Sequence, residues 1–185
     1  MRNDQKALAD IYYRIITEGK GRKVIEGDVD LRSLYLKELP EWLSDVEVKG
    51  DFYCYNNNLT TLAGAPKIVG DSFSCYNNRL TTLAGAPKIV RNFYCHNNKL
   101  TTLAGAPKTL GGVFYCYDNK LTTLQGAPKT LGGNFRCYNN RLTTLTGAPK
   151  TVGGNFSCYD NPVNFTVEGV RAVSNVGGEI FVWYK

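Results

Sequence analysis

Residues 73–93 read FSCYNNRLTTLAGAPKIVRNF, and residues 93–114 say almost the same again, FYCHNNKLTTLAGAPKTLGGVF. In each copy Phe, a variable residue and Cys alternate with a period of two. Phe73 and Cys75 therefore share one side of a short strand, and Ser74 takes the other. Moving outward from this unit, the cysteines stand at 54, 75, 95, 116, 137 and 158, with gaps of 21, 20, 21, 21 and 21. Five full units and a degenerate sixth thus occupy residues 51–161 and run out by residue 165. Self-similarity at a fixed period of this length marks a solenoid, in which each unit buries its apolar side only against its neighbours.

After the strand come an Asn pair, then Leu-Thr-Thr-Leu, and then Gly-Ala-Pro-Lys with an aliphatic residue that leads back to glycine. Proline at 66, 87, 107, 128 and 149 forbids a long helix on the return path, so that side is expected to be extended or turn-like. Divergent units flank the regular ones. Upstream, residues 29–50 carry Val29, Leu31, Leu36, Leu39 and Pro40 in the repeat order, with Leu34 where Asn belongs. Downstream, VGGEIFVWY repeats the lead-in VGGNFSCY, which makes residues 180–183 a last strand within a C-terminal cap of residues 162–185. Strands are thus expected to begin at 29, 52, 73, 93, 114, 135, 156 and 180. Eight parallel strands about 4.8 Å apart make a sheet on the order of 35 Å long.

Residues 1–28 form a lead-in. Ala7, Leu8, Ile11, Tyr12, Ile15 and Ile16 recur at three and four, with Asn3 or Asp4 as cap and Gly19 as terminator. This pattern predicts an amphipathic helix that covers the first open edge, since a raw solenoid end exposes core and unpaired strand. A short helix is expected within residues 163–174 at the other end.

Strand apolar residues followed by Asn and Leu-x-x-Leu resemble the leucine-rich repeat family in its shortest class, with Phe and Cys replacing the usual strand leucines. The resemblance covers residues 29–185. It implies a parallel sheet on a concave face and an extended convex side. The run LADIYYRIITEG (residues 8–19) ahead of units ending in GAPK is further similar to small leucine-rich proteins of tailed bacteriophages. That resemblance implies a phage-encoded protein in the bacterial host cytoplasm, there to bind and inhibit or redirect a host protein, with defence proteins first among the candidates.

In a stacked repeat each position becomes a column of side chains. The cysteine column reads as small buried hydrophobes in a reducing cytoplasm, because in-register parallel strands hold Cβ atoms farther apart than a disulfide prefers and no close CxxC pair offers a zinc site. The column Asn57, Asn78, Asn98, Asn119, Asn140 and Asn161 reads as structural, with amides that pair backbone groups where strand becomes loop. The column before it, Asn56, Asn77, Asn97, Asp118, Asn139 and Asp160, either reads a ligand or faces water.

The candidate partner-binding residues lie on the outward side of the strands. After each cysteine stand Tyr55, Tyr76, His96, Tyr117, Tyr138 and Tyr159, and the variable strand position adds Tyr53, Tyr94, Tyr115 and Arg136 beside Ser74 and Ser157. Tyrosine supplies large rigid contact area at small entropic cost and is enriched in binding hot spots. An in-register ring ladder also stabilises a sheet by itself. The variable column changes chemistry from unit to unit, as an adapted surface does, and this favours a protein partner.

Charge gives the second reading. Residues 51–161 carry 11 basic and 4 acidic groups, against 9 and 10 in residues 1–50 and 2 and 2 in residues 162–185. The cations form two columns: Lys67, Lys88, Lys108, Lys129 and Lys150, and Arg79, Lys99, Lys120 and Arg141. Such columns attract polyanions, so the alternative is a nucleic-acid or nucleotide binder that stacks bases on tyrosine; a virion structural component is a third class. Enzyme chemistry has little to work with. His96 is the one histidine, the paired glycines lack phosphate-loop spacing, and neither cofactor, metal nor membrane partner is expected.

Overall fold

The computed structural model describes residues 3–18 and 21–183. In chain order its elements are α1 (Asn3–Tyr12), β1 (Ile16–Glu18), β2 (Arg22–Ile25), β3 (Val29–Asp30), a 3-10 segment (Glu41–Asp45), β4 (Val46–Val48), β5 (Phe52–Tyr53), β6 (Ile68–Val69), β7 (Ser72–Ser74), β8 (Asn92–Tyr94) and β9 (Thr109–Leu110). The series continues with β10 (Phe114–Tyr115), β11 (Thr130–Leu131), β12 (Phe135–Arg136), β13 (Thr151–Val152), β14 (Phe156–Ser157), α2 (Val167–Arg171), β15 (Asn175–Val176) and β16 (Ile180–Phe181). The six Phe-x-Cys strands and their two divergent counterparts lie in one parallel sheet in the order β3-β5-β7-β8-β10-β12-β14-β16. Phe52 is level with Phe73, Phe93, Phe114, Phe135 and Phe156 in turn, so each repeat makes one turn of a β-solenoid.

The return path is more regular than an extended connection. Its aliphatic residues form short strands of their own, β9-β11-β13-β15 in one parallel sheet and β4-β6 in another, with a lone bridge from Ile68 to Ile89. Proline stops a helix here, but the residues after it lie in register with their copies one turn away and complete a ladder.

The core is built from columns. All six phenylalanines of the repeats are fully buried, with neighbouring ring centroids 5.0 to 6.1 Å apart. The cysteines lie buried beside them, and Leu59, Leu80, Leu100, Leu121 and Leu142 close the interior from the next side. Turns approach so tightly at Gly64, Gly85, Gly105, Gly126 and Gly147 that a Cβ would lie 2.3 to 2.6 Å from backbone of the previous turn, and each has φ between +86° and +97°. Gly126→Ala is therefore expected to cost about 2 kcal/mol in thermal unfolding. Gly111→Ala, where the nearest atom would be 3.8 Å away, should be near neutral; equal effects would show that the close approach does not matter.

The N-terminal helix is shorter than its periodicity predicts. It ends at Tyr12, and Ile15 and Ile16 leave it. The β-branched run Ile15-Ile16-Thr17 favours extended backbone, and β1 pairs antiparallel with β2 to extend the β4-β6 sheet. The expected terminator Gly19 lies outside the described residues. Ile11 enters the core, Tyr12 meets Trp42 edge-on at 5.4 Å, and Arg14 donates to the carbonyls of Glu26 and Asp28. At the far end α2 spans 167–171 within the expected 163–174, capped by Thr166 Oγ1 accepting from the Gly169 N–H, with Val170 fully buried. Among the described residues no helix is long and apolar enough to cross a membrane.

Candidate binding surface

The corner after each Cys-Tyr decides how the outward rings stand. Asn56, Asn77, Asn97, Asp118, Asn139 and Asp160 all have φ between 47° and 54°, the left-handed region that Asn and Asp tolerate best. Their side chains also ladder from turn to turn, Asn77 to Asn56 at 2.7 Å, Asn97 to Asn77, and Asn139 to Asp118 at 2.6 Å. Backbone geometry therefore accounts for this column. The inner asparagines act as read from the sequence: Asn78 Oδ1 accepts from the Leu59 N–H, and its Nδ2 donates to the carbonyls of Cys54 and Cys75. The first turn lacks such a residue at Leu34, and Asn57 Oδ1 accepts from the N–H groups of both Leu34 and Leu36.

With the corner held this way, Tyr55, Tyr76, His96, Tyr117, Tyr138 and Tyr159 form one continuous pile of rings. Successive centroids are 4.3 to 4.5 Å apart and successive planes 7° to 14° from parallel. All six are half-buried. Their faces are covered by one another, so edges and hydroxyls are what the row presents outward. Burial and the adjoining Tyr55 hydroxyl push Tyr76 up to about 12, and burial raises Tyr117 and Tyr138, which keeps these hydroxyls protonated at neutral pH.

The neighbouring row is split. Ser74 and Ser157 are buried. Tyr53, separated from Tyr94 by Ser74, donates its hydroxyl to Asp51 at 2.6 Å and meets Tyr55 edge-on at 6.2 Å. Tyr94 and Tyr115 meet edge-on at 5.3 Å, and the Arg136 guanidinium lies 4.5 Å from the Tyr115 centroid, within cation–π range. Tyr94, Tyr115 and Arg136 thus form a contiguous patch beside His96, Tyr117 and Tyr138.

Two members of the main row went unread in the sequence. Arg32 stands three residues after Val29, as Tyr55 stands three after Phe52; it donates to the Tyr55 hydroxyl at 2.8 Å and pairs with Asp30 at 2.9 Å. Trp183 holds the corresponding place after Ile180 and is 60% exposed. The signal was the strand register itself, which sets both residues once strands are placed at 29 and 180.

Among the six piled rings His96 is the one that is not tyrosine. It is stacked between Tyr76 and Tyr117, and its Nδ1 is enclosed without a hydrogen-bond partner. Burial, opposed by Asp118, holds it down at about 4. In the unfolded chain it titrates near 6.5, so the unfolded state binds more protons between these values. Its neutral form supports the fold fully above pH 6.5, and stability is lost as pH falls toward 4. His96→Tyr is expected to keep the pile and flatten this part of a melting-temperature profile between pH 7 and 4; an unchanged slope would assign the loss to other groups.

The six thiols are free and buried, and desolvation raises each of them, Cys158 to about 12. Among the described residues no group of three or more His, Cys, Asp and Glu side chains is placed to hold a metal ion. No protein-family model matches the chain and no curated protein matches it at a significant level, so its architecture stands on its own residues as a parallel β-solenoid of about eight turns.

Proposed function

We propose that the chain is a non-enzymatic binding module that seats one protein partner on the outer surface of the eight-stranded sheet. The observation that carries this reading is the pile of six rings bordered by a row whose chemistry changes from turn to turn. A fixed aromatic floor supplies area, and the variable row Tyr53, Ser74, Tyr94, Tyr115, Arg136 and Ser157 supplies selectivity. The surface is preorganised, because each of the four inner rings is held by two neighbours and loses little freedom on binding. Base stacking on the inner rings of the pile is disfavoured by the same geometry: a ring 4.3 to 4.5 Å from a neighbour on each side has no free face to offer.

The resemblance of the N-terminal run and the GAPK units to small leucine-rich proteins of tailed phages supports a bacterial host protein as partner, with defence proteins as the first candidates and the host cytoplasm as the place of action. The test is affinity capture from host lysate, with and without nuclease, using the native chain and a Tyr94→Ala, Tyr115→Ala, Tyr117→Ala variant. One protein should be recovered by the native chain regardless of nuclease and lost by the variant, at about 2 kcal/mol or more per hot-spot residue. Recovery that depends on nucleic acid, or that the variant retains, overturns the proposal.

A further inference from the structure

The lysines that follow each Ala-Pro lie away from the rings, at the entrance to the return-path strands, and surface concavities open along them. One of about 510 Å³ is lined by Lys88, Ala106 and Lys108 among others, and a second of about 510 Å³ by Lys108, Lys129 and Lys150 over a floor of glycine and alanine. They share Ala106 and Lys108, so they form one channel. Backbone bonds from the Lys129 N–H to the Lys108 carbonyl and from the Lys150 N–H to the Lys129 carbonyl keep these three lysines in register. Their spacing is then about 4.8 Å, so Lys108 to Lys150 covers roughly 10 Å, and Lys88 lines the same concavity as Lys108 on the N-terminal side.

None of these ammonium groups meets a carboxylate among the described residues. The four acids of residues 51–161 are elsewhere: Asp51 and Asp71 on the lead-in to the eight-stranded sheet, where they accept from Ser72 and Asn92, and Asp118 and Asp160 at the left-handed corner beyond it. Four exposed cations in file with no counter-charge make a local field that calls for an anionic ligand. The channel is also monotonous. Gly-Ala-Pro-Lys recurs without change, so each step offers the same contacts, and the ligand that fits is a polymer carrying the same charge at each step. A phosphodiester backbone has that uniformity, whereas an acidic protein segment varies along its length. At its N-terminal end the line meets Glu38 and Glu41, which line the adjoining concavity with Lys67. These carboxylates repel phosphate and limit the run to four lysines.

We propose that Lys88, Lys108, Lys129 and Lys150 form a second site, separate from the ring surface, that holds the backbone of a single-stranded nucleic acid without reading its sequence. The probe is a fluorescent thymidine 20-mer, followed by anisotropy at 50 and 200 mM salt. With four phosphates neutralised, counterion release makes affinity fall about 50-fold across that range. Changing the four lysines to Ser should abolish binding and changing them to Arg should keep it. Both sets are exposed and leave the core intact, which matching melting temperatures will verify. Lys67→Ser, beside the glutamates, should do little.

Three outcomes overturn the proposal. The first is no binding at 50 mM salt. The second is an equal loss when Arg79, Lys99, Lys120 and Arg141 are changed to Ser instead, which would make the binding diffuse attraction to a basic chain. The third is equal or tighter binding of a poly-glutamate peptide, which would assign the channel to an acidic protein. The Tyr94, Tyr115 and Tyr117 variant should bind the oligonucleotide normally, so failure of this site and failure of the protein-binding surface are distinguishable.

Discussion

Asn119→Ala in the middle of the stack is expected to cost about 3–5 kcal/mol, a large share of the stability of a domain this size. One buried side chain here serves four backbone groups in two turns. Its Oδ1 accepts from the Leu100 N–H at 2.9 Å, and its Nδ2 donates to the carbonyls of Cys95, Cys116 and Tyr117, each at 3.1 Å. Alanine removes the side chain and leaves those groups facing apolar surroundings that water does not reach. An orphaned buried polar group costs about 1–3 kcal/mol, and at least two are created at once. Lys120→Ala, one residue on and exposed, is the control and should stay within about 0.5 kcal/mol. Urea unfolding of both variants measures the difference, and comparable small effects would show that the asparagine column is dispensable.

Phe114→Ala should cost about 3–5 kcal/mol as well, by a different route. The ring is fully buried, with Phe93 at 5.6 Å on one side and Phe135 at 6.1 Å on the other. Its loss leaves a cavity between two turns that cannot close, because both are held by strand ladders. A solenoid passes stability from neighbour to neighbour, so a weakened central interface should also uncouple the halves. Two tryptophans at opposite ends report on this directly. Trp42 packs with Tyr12 near the N-terminal end, and Trp183 follows the last strand. Both should give one midpoint in the native chain and two in the variant. A single unshifted transition would mean that the core does not pass through Phe114.

The repeat made most of this architecture legible in advance. Phe-x-Cys alternation at a fixed period settles which residues face inward, and the eight strand positions, including the divergent ones at Val29 and Ile180, follow by counting. Periodic patterns translate reliably because a one-residue slip would turn every phenylalanine outward. The N-terminal helix was legible in existence but not in length. Apolar spacing at three and four continues through Ile15 and Ile16, yet the chain from Ile16 gains more by pairing as a strand with β2 than by another helical turn, and that pairing is visible only when the far segment is in place.

The candidate surface divides in the same way. Sequence alone determined that Tyr55, Tyr76, His96, Tyr117, Tyr138 and Tyr159 would share one outward row, because a period of two leaves them no alternative once Phe and Cys point in. Tertiary structure decided that the rings lie face to face, that Arg32 begins the row, and that Asn56 and its copies occupy a left-handed corner. It also decided that the lysines line a channel away from the rings. Spacing along the chain sets which side chains share a column; how columns on different sides of a turn are angled, and what they cover, depends on the path of the backbone around the whole turn.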